Sequence, residues 1–227
     1  MDRALFIGDV HGCADELALL LKECEHTPSD RVVLVGDLVA KGPDSRGVLA
    51  LVRSTPGMSS VRGNHDEAVI RCREALSRGE PTKAKPVHRD VAESLDDAEF
   101  AYLRALAFFE RVAEASTIVV HAGMEPGLPV EAQSQANLLS MRSVRQDGTA
   151  SRRVEDGVPW ASRWLGPEWA IFGHDAVRGL QRHPFAIGLD TGCVYGRRLT
   201  AWIWPEKRLV SVPARRAYVA AGGRDDE

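Results

Sequence analysis

Hydrophobic residues occur along the chain in short continuous runs, and most of these runs end at a glycine beside a polar residue. The runs cover residues 5–7, 32–35, 118–120 and 170–172, and the dipeptides that follow them are Gly8-Asp9, Gly36-Asp37, His121-Ala122 and Gly173-His174. Continuous apolar runs of this length, mostly rich in β-branched residues, are typical of strands that are buried on both faces. The pattern therefore predicts four such strands.

Segments with helical spacing lie between the first strands. Three segments carry apolar residues at i, i+3, i+4 or i+7: Leu17, Leu20, Leu21 and Cys24; Val48, Leu51 and Val52 after the N-cap candidate Asp44; and Val69, Cys72 and Leu76 after Asn64. The alternation of strands and helices predicts a layered α/β fold. Near the C-terminus, residues 185–189, 199–204 and 208–212 predict strands joined by short turns, and we expect them to form a second, mixed or antiparallel sheet.

The chain is long enough for one domain with a sizeable core, since it has 227 residues. We expect a single domain over residues 1–213. Residues 130–159 are polar and irregular, so about 125–165 is expected to form a small cap or loop region. Residues 214–227 are expected to form a flexible tail.

Charge and cysteine content exclude several classes of protein. The net charge is −3, whereas proteins that bind nucleic acids or membrane surfaces are normally basic, so we expect neither a stable nucleic-acid complex nor a membrane partner. No run of 18 apolar residues predicts a transmembrane helix, and the first residues show no secretory leader. The four scattered cysteines form no CxxC pair, which indicates reduced thiols in a cytoplasmic protein.

Candidate metal-binding side chains follow the four apolar runs and a fifth predicted strand, Ser60-Val61-Arg62. They are Asp9, His11, Asp37, Asn64, His121 and His174. Because ligands of open α/β sheets bind beyond the carboxyl ends of the strands, we expect these groups to converge. Their oxygen and nitrogen donors suit Mn, Fe or Zn, and the lack of a cysteine argues against a thiolate zinc site. Six ligands fit two ions that share one carboxylate, an arrangement that activates a bridging water and holds a phosphoryl group for in-line displacement.

Five motifs in a fixed order identify a family resemblance. They are Gly8-Asp9-Val10-His11-Gly12, Gly36-Asp37-Leu38-Val39-Ala40-Lys41-Gly42-Pro43, Arg62-Gly63-Asn64-His65-Asp66, Val120-His121-Ala122-Gly123 and Phe172-Gly173-His174, with Met141-Arg142 and Leu189-Asp190-Thr191-Gly192-Cys193 in support. The set resembles the calcineurin-like metallophosphoesterases of the phosphoprotein-phosphatase branch, especially bacterial diadenosine tetraphosphate hydrolases and hydrolase-like phosphatases. The resemblance covers about residues 3–205. It implies a two-sheet αββα sandwich with a di-metal site at the C-terminal ends of the strands.

The resemblance also implies how the metal ligands are shared. It assigns Asp9 and His11 to one ion, Asp37 to both ions, and Asn64, His121 and His174 to the second ion. Two divalent cations are implied, with Mn as the first choice and Fe, Zn, Co or Ni as alternatives.

Further residues are assigned to catalysis and phosphate binding by the same resemblance. His65 is expected to be the general acid that protonates the leaving oxygen. Arg62 is expected to take part in catalysis and to bind phosphate. Lys41 and Arg142 are expected to contact phosphate as well. Phosphoprotein phosphatases have an aspartate at the position of Ala40, paired with this histidine, whereas tetraphosphate hydrolases have a non-acidic residue there. Ala40 therefore favours nucleotide substrates.

The function implied is hydrolysis of dinucleoside polyphosphates of the diadenosine tetraphosphate type, by in-line attack of a metal-bridging hydroxide. The alternatives are a broad-specificity phosphoprotein or phosphomonoester phosphatase, and a polyphosphatase or RNA-cap pyrophosphohydrolase. The 53 residues from His121 to His174 are few for a dedicated tetraphosphate hydrolase of this family, which predicts a more open cleft. A non-catalytic scaffold derived from the enzyme would be expected to have lost ligands, and none is lost.

Two features leave alternatives open. Asp190 is predicted either to orient a metal-bound histidine or to end a strand in a plain turn. Trp160, Trp164 and Trp169 are spaced by four and five residues, so they form either a stacking platform for a nucleobase or, as we favour, core packing from one helix.

Overall fold

The computed structural model describes residues 3–220. In chain order its strands are β1 (Ala4–Ile7), β2 (Arg31–Leu34), β3 (Met58–Ser60), β4 (Phe109–Val112), β5 (Thr117–Val120), β6 (Ser143–Val144), β7 (Ala150–Ser151), β8 (Val158–Pro159), β9 (Trp169–Phe172), β10 (Gln181–His183), β11 (Ala186–Gly188), β12 (Arg198–Trp204) and β13 (Arg208–Pro213). The helices are α1 (Ala14–Glu23), α2 (Ser45–Ser54), α3 (Asn64–Ser77), α4 (Pro86–Ser94), α5 (Asp97–Ala105) and α6 (Gln135–Ser140). Short 3₁₀ helices cover Ala113–Ala115, Val130–Ala132 and Trp160–Arg163.

Two five-stranded sheets form the centre of the fold. The first has the order β13-β12-β1-β2-β3, and the second has the order β10-β11-β9-β5-β4. In the first sheet β1, β2 and β3 are parallel, and in the second β5, β9 and β11 are parallel. The antiparallel strands lie toward the sheet edges. The predicted α/β sandwich of two sheets is thus confirmed.

Alternation along β1 shows why its apolar run is continuous. Leu5 and Ile7 pack in the core formed with α1 and α2, whereas Ala4 and Phe6 pack between the two sheets with Val119 of the second sheet. All four β1 residues are fully buried. Because successive side chains of a strand point to opposite faces, a strand covered on both faces needs an apolar residue at every position.

The C-terminal strands do not form a separate sheet, so that expectation is wrong. β12 pairs antiparallel with β1 and continues the first sheet to β13, while β11 pairs in parallel with β9 in the second sheet. The strands themselves lie close to where the sequence predicts them. Their distribution between two sheets depends on which neighbouring edge each strand reaches, and the apolar pattern of a strand does not encode its pairing partner.

The polar region 130–159 contains more regular structure than a loop. It folds into a 3₁₀ turn, α6 and a three-stranded sheet with the order β7-β6-β8. Leu138, Met141 and Val144 from this region pack on Ile118 and Phe172 of the second sheet. This packing covers the outer face of the second sheet. The outer face of the first sheet is covered by α1 and α2.

The first part of the expected tail is packed rather than extended into solvent. The backbone N–H groups of Tyr218 and Val219 donate to the carbonyl of Val194, and the Tyr218 hydroxyl donates to Glu16. Residues 221–227, the rest of that expected tail, lie outside the described residues.

The three tryptophans do not share one helix. Trp160 begins the 3₁₀ helix Trp160–Arg163, Trp164 directly follows it, and Trp169 begins β9. Core packing itself is observed for Trp160, which is 1% exposed, lies 4.9 Å from the ring of Phe172 and donates from Nε1 to the carbonyl of Ala122.

Among residues 3–220, no helix combines the length and apolar character that crossing a bilayer requires.

Candidate active site

The sequence-predicted ligands lie on tight turns that follow the central strands. Asp9 and His11 follow β1, Asp37 follows β2, and His174 follows β9. His11, Asp37 and His174 have φ angles of 47°, 51° and 66°, a left-handed region that non-glycine residues rarely adopt. Strained backbone of this kind concentrates at functional sites, where the surrounding structure holds it in place.

Asp37 lies at the centre of the cluster. Its Oδ2 is 3.4 Å from Nε2 of His11 and 3.5 Å from Nε2 of His121, so one carboxylate contacts histidines from both sheets. A Cβ at Gly63 would lie 2.1 Å from Oδ1 of Asp37, so only glycine allows this close approach. The position between two histidines is the one that a bridging ligand requires.

Asn64 connects His121 to the last of the predicted histidine ligands, His174. Its Oδ1 is 2.8 Å from Nε2 of His121 and 3.0 Å from Nδ1 of His174. Nδ1 of His121 faces the carbonyl of Val35 at 2.9 Å, which orients the ring so that Nε2 points into the cluster. The N-terminus of α3 therefore delivers Asn64 to the same point as the ends of β5 and β9.

Burial shifts the pKa values of this cluster in opposite directions for acids and bases. Burial, with the nearby charges of Asp190 and Asp37, raises the pKa of Asp9 well above its usual range, and burial raises the pKa of Asp190 to about 6. Burial lowers the pKa of His121 to about 4 and also lowers the pKa values of His11 and His174. The imidazoles are therefore neutral, with lone pairs available, and the crowded carboxylates need positive charge.

These donors fit divalent cations. Two groups have ligand atoms within 4.8 Å of one another, namely His11, Asp37 and His65, and Asp9, Asp37 and His121. Both contain Asp37. In addition, the buried Nε2 of His174 has no hydrogen-bond partner among the described residues. A donor set of buried carboxylates and neutral imidazoles, with a polar atom left unsatisfied, is typical of a metal centre.

Asp190 forms the strand-end turn that is one of its two predicted roles. Its Oδ1 accepts a hydrogen bond from the N–H of Gly192 at 3.0 Å, as in a strand-end turn. The side chain is nevertheless buried, and its charge contributes to the raised pKa of Asp9. Asp190 is thus part of the electrostatic environment of the candidate metal ligands.

Asp66 is a site residue to which sequence reasoning assigned no role. Its carboxylate accepts hydrogen bonds from the N–H groups of Leu38, Val39 and Gly63, and it is fully buried. It therefore ties the loop after Asp37 to the first turn of α3. The sequence does indicate a capping role for Asp66, because it is the third residue of a helix that begins at Asn64. A carboxylate at this position can accept a hydrogen bond from the backbone at the helix N-terminus.

His65 has a histidine partner that the sequence did not reveal. Nδ1 of His65 is 2.8 Å from Nε2 of His88 on α4, and both side chains are buried. The ring of His11 contacts His65 edge-on, with 4.9 Å between the ring centroids. Ala40, which stands where phosphoprotein phosphatases have an aspartate beside this histidine, is fully buried. No spacing pattern connects positions 65 and 88, so only the packing of α4 on α3 discloses this pair.

The three predicted phosphate-binding cations have different surroundings. Arg62 forms an ion pair with Glu67, donates to the carbonyl of Arg104, and lies over the ring of Phe108. Lys41 donates to the hydroxyl of Tyr195 at 2.8 Å. Arg142 is buried and donates to the carbonyls of Arg152 and His174. Their roles toward a phosphate stay predictions.

A cleft of about 550 Å³ opens from the candidate metal ligands. Its lining includes Asn64, His65, His88, Arg142 and His174. One wall is formed by α3 and the start of α4, and the other by α6 with Arg142 and Arg152. Arg142 is the predicted phosphate-binding cation that lines this cleft, whereas Lys41 and Arg62 do not line it.

Comparisons with known proteins agree with this architecture. The family model described as calcineurin-like phosphoesterase matches residues 3–178. The symmetrical bis(5'-nucleosyl)-tetraphosphatase of Yersinia enterocolitica is 31% identical over 97% of this chain and 94% of its own. The asymmetrical bis(5'-nucleosyl)-tetraphosphatase PrpE of Bacillus subtilis is 26% identical over 93% of this chain and 95% of its own.

A solved structure gives the same result at the level of the fold. A crystal structure of a candidate diadenosine tetraphosphatase superposes with a TM-score of 0.85 and 40% sequence identity, over 94% of each chain. The family uses a dinuclear divalent metal site, and this chain brings together Asp and His side chains that are candidate ligands. The chain belongs to the calcineurin-like phosphoesterase family and is a hydrolase.

Proposed function

We propose that this chain hydrolyses dinucleoside polyphosphates of the diadenosine tetraphosphate type. The observation that carries the proposal is the charge of the cleft beside the candidate metal ligands. Arg71, Lys85, Arg142 and Arg152 line it together with a single carboxylate, Glu67. In a chain with a net charge of −3, this concentration of positive charge favours a ligand with several phosphate groups.

The tetraphosphatase names of the relatives support the same substrate class. One of the two is named asymmetrical and the other symmetrical, so the point of cleavage in this chain needs its own experiment.

The proposed metal ligands are those that the motifs assign. Asp9 and His11 would hold one ion, Asn64, His121 and His174 would hold the other, and Asp37 would be shared by both. Bound divalent cations supply Lewis-acid polarisation of the phosphoryl oxygens and lower the pKa of bound water. We propose Mn as the ion in use, since the oxygen and nitrogen donors suit it; Fe, Zn, Co and Ni accept the same donors.

The protein side chains hold the substrate and move one proton. His65 lies beside the cluster and lines the cleft, a position that suits transfer of a proton from Nε2 to the leaving oxygen. Arg142 lines the same cleft next to His174 and is proposed to bind a phosphate of the chain. Arg62 and Lys41 are proposed as further phosphate ligands, and Arg62 reaches a substrate only if its ion pair with Glu67 opens.

We place the activity in the cytoplasm with a free small-molecule nucleotide as substrate. The four cysteines are buried free thiols, which fits a reducing compartment.

Product analysis tests the proposal directly. The purified protein is incubated with diadenosine tetraphosphate and Mn²⁺, and the products are separated by ion-exchange chromatography. ADP alone indicates symmetrical cleavage, whereas AMP with ATP indicates asymmetrical cleavage, and either result supports the proposal. Intact dinucleotide, with a simple phosphomonoester hydrolysed in parallel, would overturn it in favour of a broad phosphatase.

A further inference from the structure

One ring nitrogen of His65 faces the imidazole of His88. Nδ1 of His65 and Nε2 of His88 are 2.8 Å apart, which is a hydrogen-bond distance, and the rings are tilted by 48°. The two nitrogens of an imidazole point in divergent directions. Engagement of Nδ1 by His88 therefore directs Nε2 of His65 toward the other side of its ring.

The position of His88 is fixed by the fold. It lies in the first turn of α4, whose N-terminus begins with Pro86, and it is 7% exposed. The backbone N–H of His88 donates to the carbonyl of Lys85, and α4 packs against α3, which carries His65. A buried imidazole on a helix is a rigid partner, since its side chain has few rotamers available.

We propose that His88 is a positioning residue for the catalytic histidine His65. The proposal rests on the proposed function, in which Nε2 of His65 gives a proton to the leaving oxygen as the phosphorus–oxygen bond breaks and its electron pair moves to that oxygen. Nδ1–H of His65 donates to Nε2 of His88 throughout this step, so His88 carries its own proton on Nδ1. Water is the one further reactant: its oxygen forms the new phosphorus–oxygen bond, and one of its protons replaces the proton that His65 gives up.

The hydrogen bond has a defined physical effect. A general acid works only when its proton lies on the line to the leaving oxygen, and rotation of an imidazole ring by a few tens of degrees breaks this alignment. The methyl group of Ala40 offers no hydrogen bond, so the orientation of His65 depends on His88 together with the edge contact from His11.

Two substitutions separate the hydrogen bond from the space that His88 fills. His88→Gln places an amide near the position of Nε2 and retains a polar partner, whereas His88→Leu fills similar space without one. His183→Leu on β10 serves as a matched control. Thermal unfolding and the rise in Tm with Mn²⁺ establish that each variant is folded and retains its metal centre.

The readout is the dependence of kcat on the leaving group. Phenyl phosphate has a poor leaving group that needs protonation, and p-nitrophenyl phosphate has a good one that needs little. We expect His88→Leu to lower kcat for phenyl phosphate about 10- to 100-fold, to change p-nitrophenyl phosphate turnover about threefold or less, and to leave KM unchanged. We expect His88→Gln to restore most of the loss, and His88→Leu to add nothing in the His65→Ala background.

Several outcomes would overturn the inference. Equal losses for both esters, or a loss that persists in the His65→Ala background, would show a structural role. Failure to cleave diadenosine tetraphosphate, with the leaving-group effect intact, would contradict only the proposed function.

If the protein does not hydrolyse aryl esters, ¹⁵N NMR of the Zn²⁺-loaded protein tests the pairing of His65 with His88 instead. We expect a protonated Nδ1 on His65 whose resonance shifts in His88→Leu and recovers in His88→Gln. An unchanged His65 resonance in His88→Leu would refute the pairing.

Discussion

The buried centre of the site and the wall of the cleft next to it differ in how they hold charge. In the centre, Asp9, Asp37 and Asp190 are buried and close together, and the pKa values of Asp9 and Asp190 are raised. On the wall, Arg71 is 73% exposed and already paired with Glu67. Charges held out of water interact strongly, whereas exposed ion pairs contribute about 0–1 kcal/mol. The effect of a substitution should therefore fall with distance from the centre.

The largest effect is expected for the shared carboxylate. Asp37→Asn removes the charge between His11 and His121, and we expect a loss in kcat of about 10³-fold or more, since each 1.36 kcal/mol of lost stabilisation is a factor of ten. The rise in Tm with Mn²⁺ should also disappear. Steady-state kinetics and thermal unfolding measure both, with Asp15→Asn, at an exposed position of α1, as the control. Activity close to that of the unaltered protein would contradict the ligand assignment.

A buried cation of the wall should have an intermediate effect. Arg142 is 7% exposed and lines the cleft beside His174. Loss of a charge-assisted hydrogen bond to phosphate costs about 1.5–3 kcal/mol, so we expect Arg142→Gln to lower kcat/KM for the dinucleotide about 10- to 100-fold. Arg145→Gln, in the same segment but outside the cleft, is the control. If the Tm response to Mn²⁺ is lost as well, Arg142 acts instead through its hydrogen bond to the carbonyl of His174.

The response to metal should depend on pH in a direction set by the carboxylates. The pKa of Asp190 is raised from 3.8 to about 6 without metal, so the stability it contributes is present at low pH and is lost as pH rises through 6. A bound cation removes this loss, because it stabilises the charged carboxylate. We expect the rise in Tm caused by Mn²⁺ to be several degrees larger at pH 7.5 than at pH 5.5. A response that is equal or larger at pH 5.5 would contradict the raised pKa. His121, with a pKa of about 4, stays neutral across this range.

The smallest effect is expected at the exposed rim. Arg71→Gln should raise KM for the dinucleotide about threefold at most, and 0.5 M salt should remove the difference, because exposed charges are screened. Kinetics at low and high ionic strength measure this. A loss as large as that of Arg142→Gln would mean that Arg71 contacts the substrate directly and that the contrast between centre and wall is wrong.

The sequence by itself determined the centre of the site. Asp9, Asp37 and His174 follow short apolar runs, and the carboxyl ends of such strands lie at one edge of a sheet. A strand buried on both faces needs an apolar residue at each position, so its end is readable from composition alone. The helix cap at Asp44 was also readable from the local sequence.

Only the tertiary structure decided which elements became neighbours. The pairing of β12 with β1, the arrangement of region 130–159 as one wall of the cleft, and the contact between His65 and His88 join residues far apart in the chain. Such contacts depend on which exposed edge or helix face each element reaches as the core closes. Neither hydrophobic period nor motif spacing carries that information, because both describe a segment relative to its own axis.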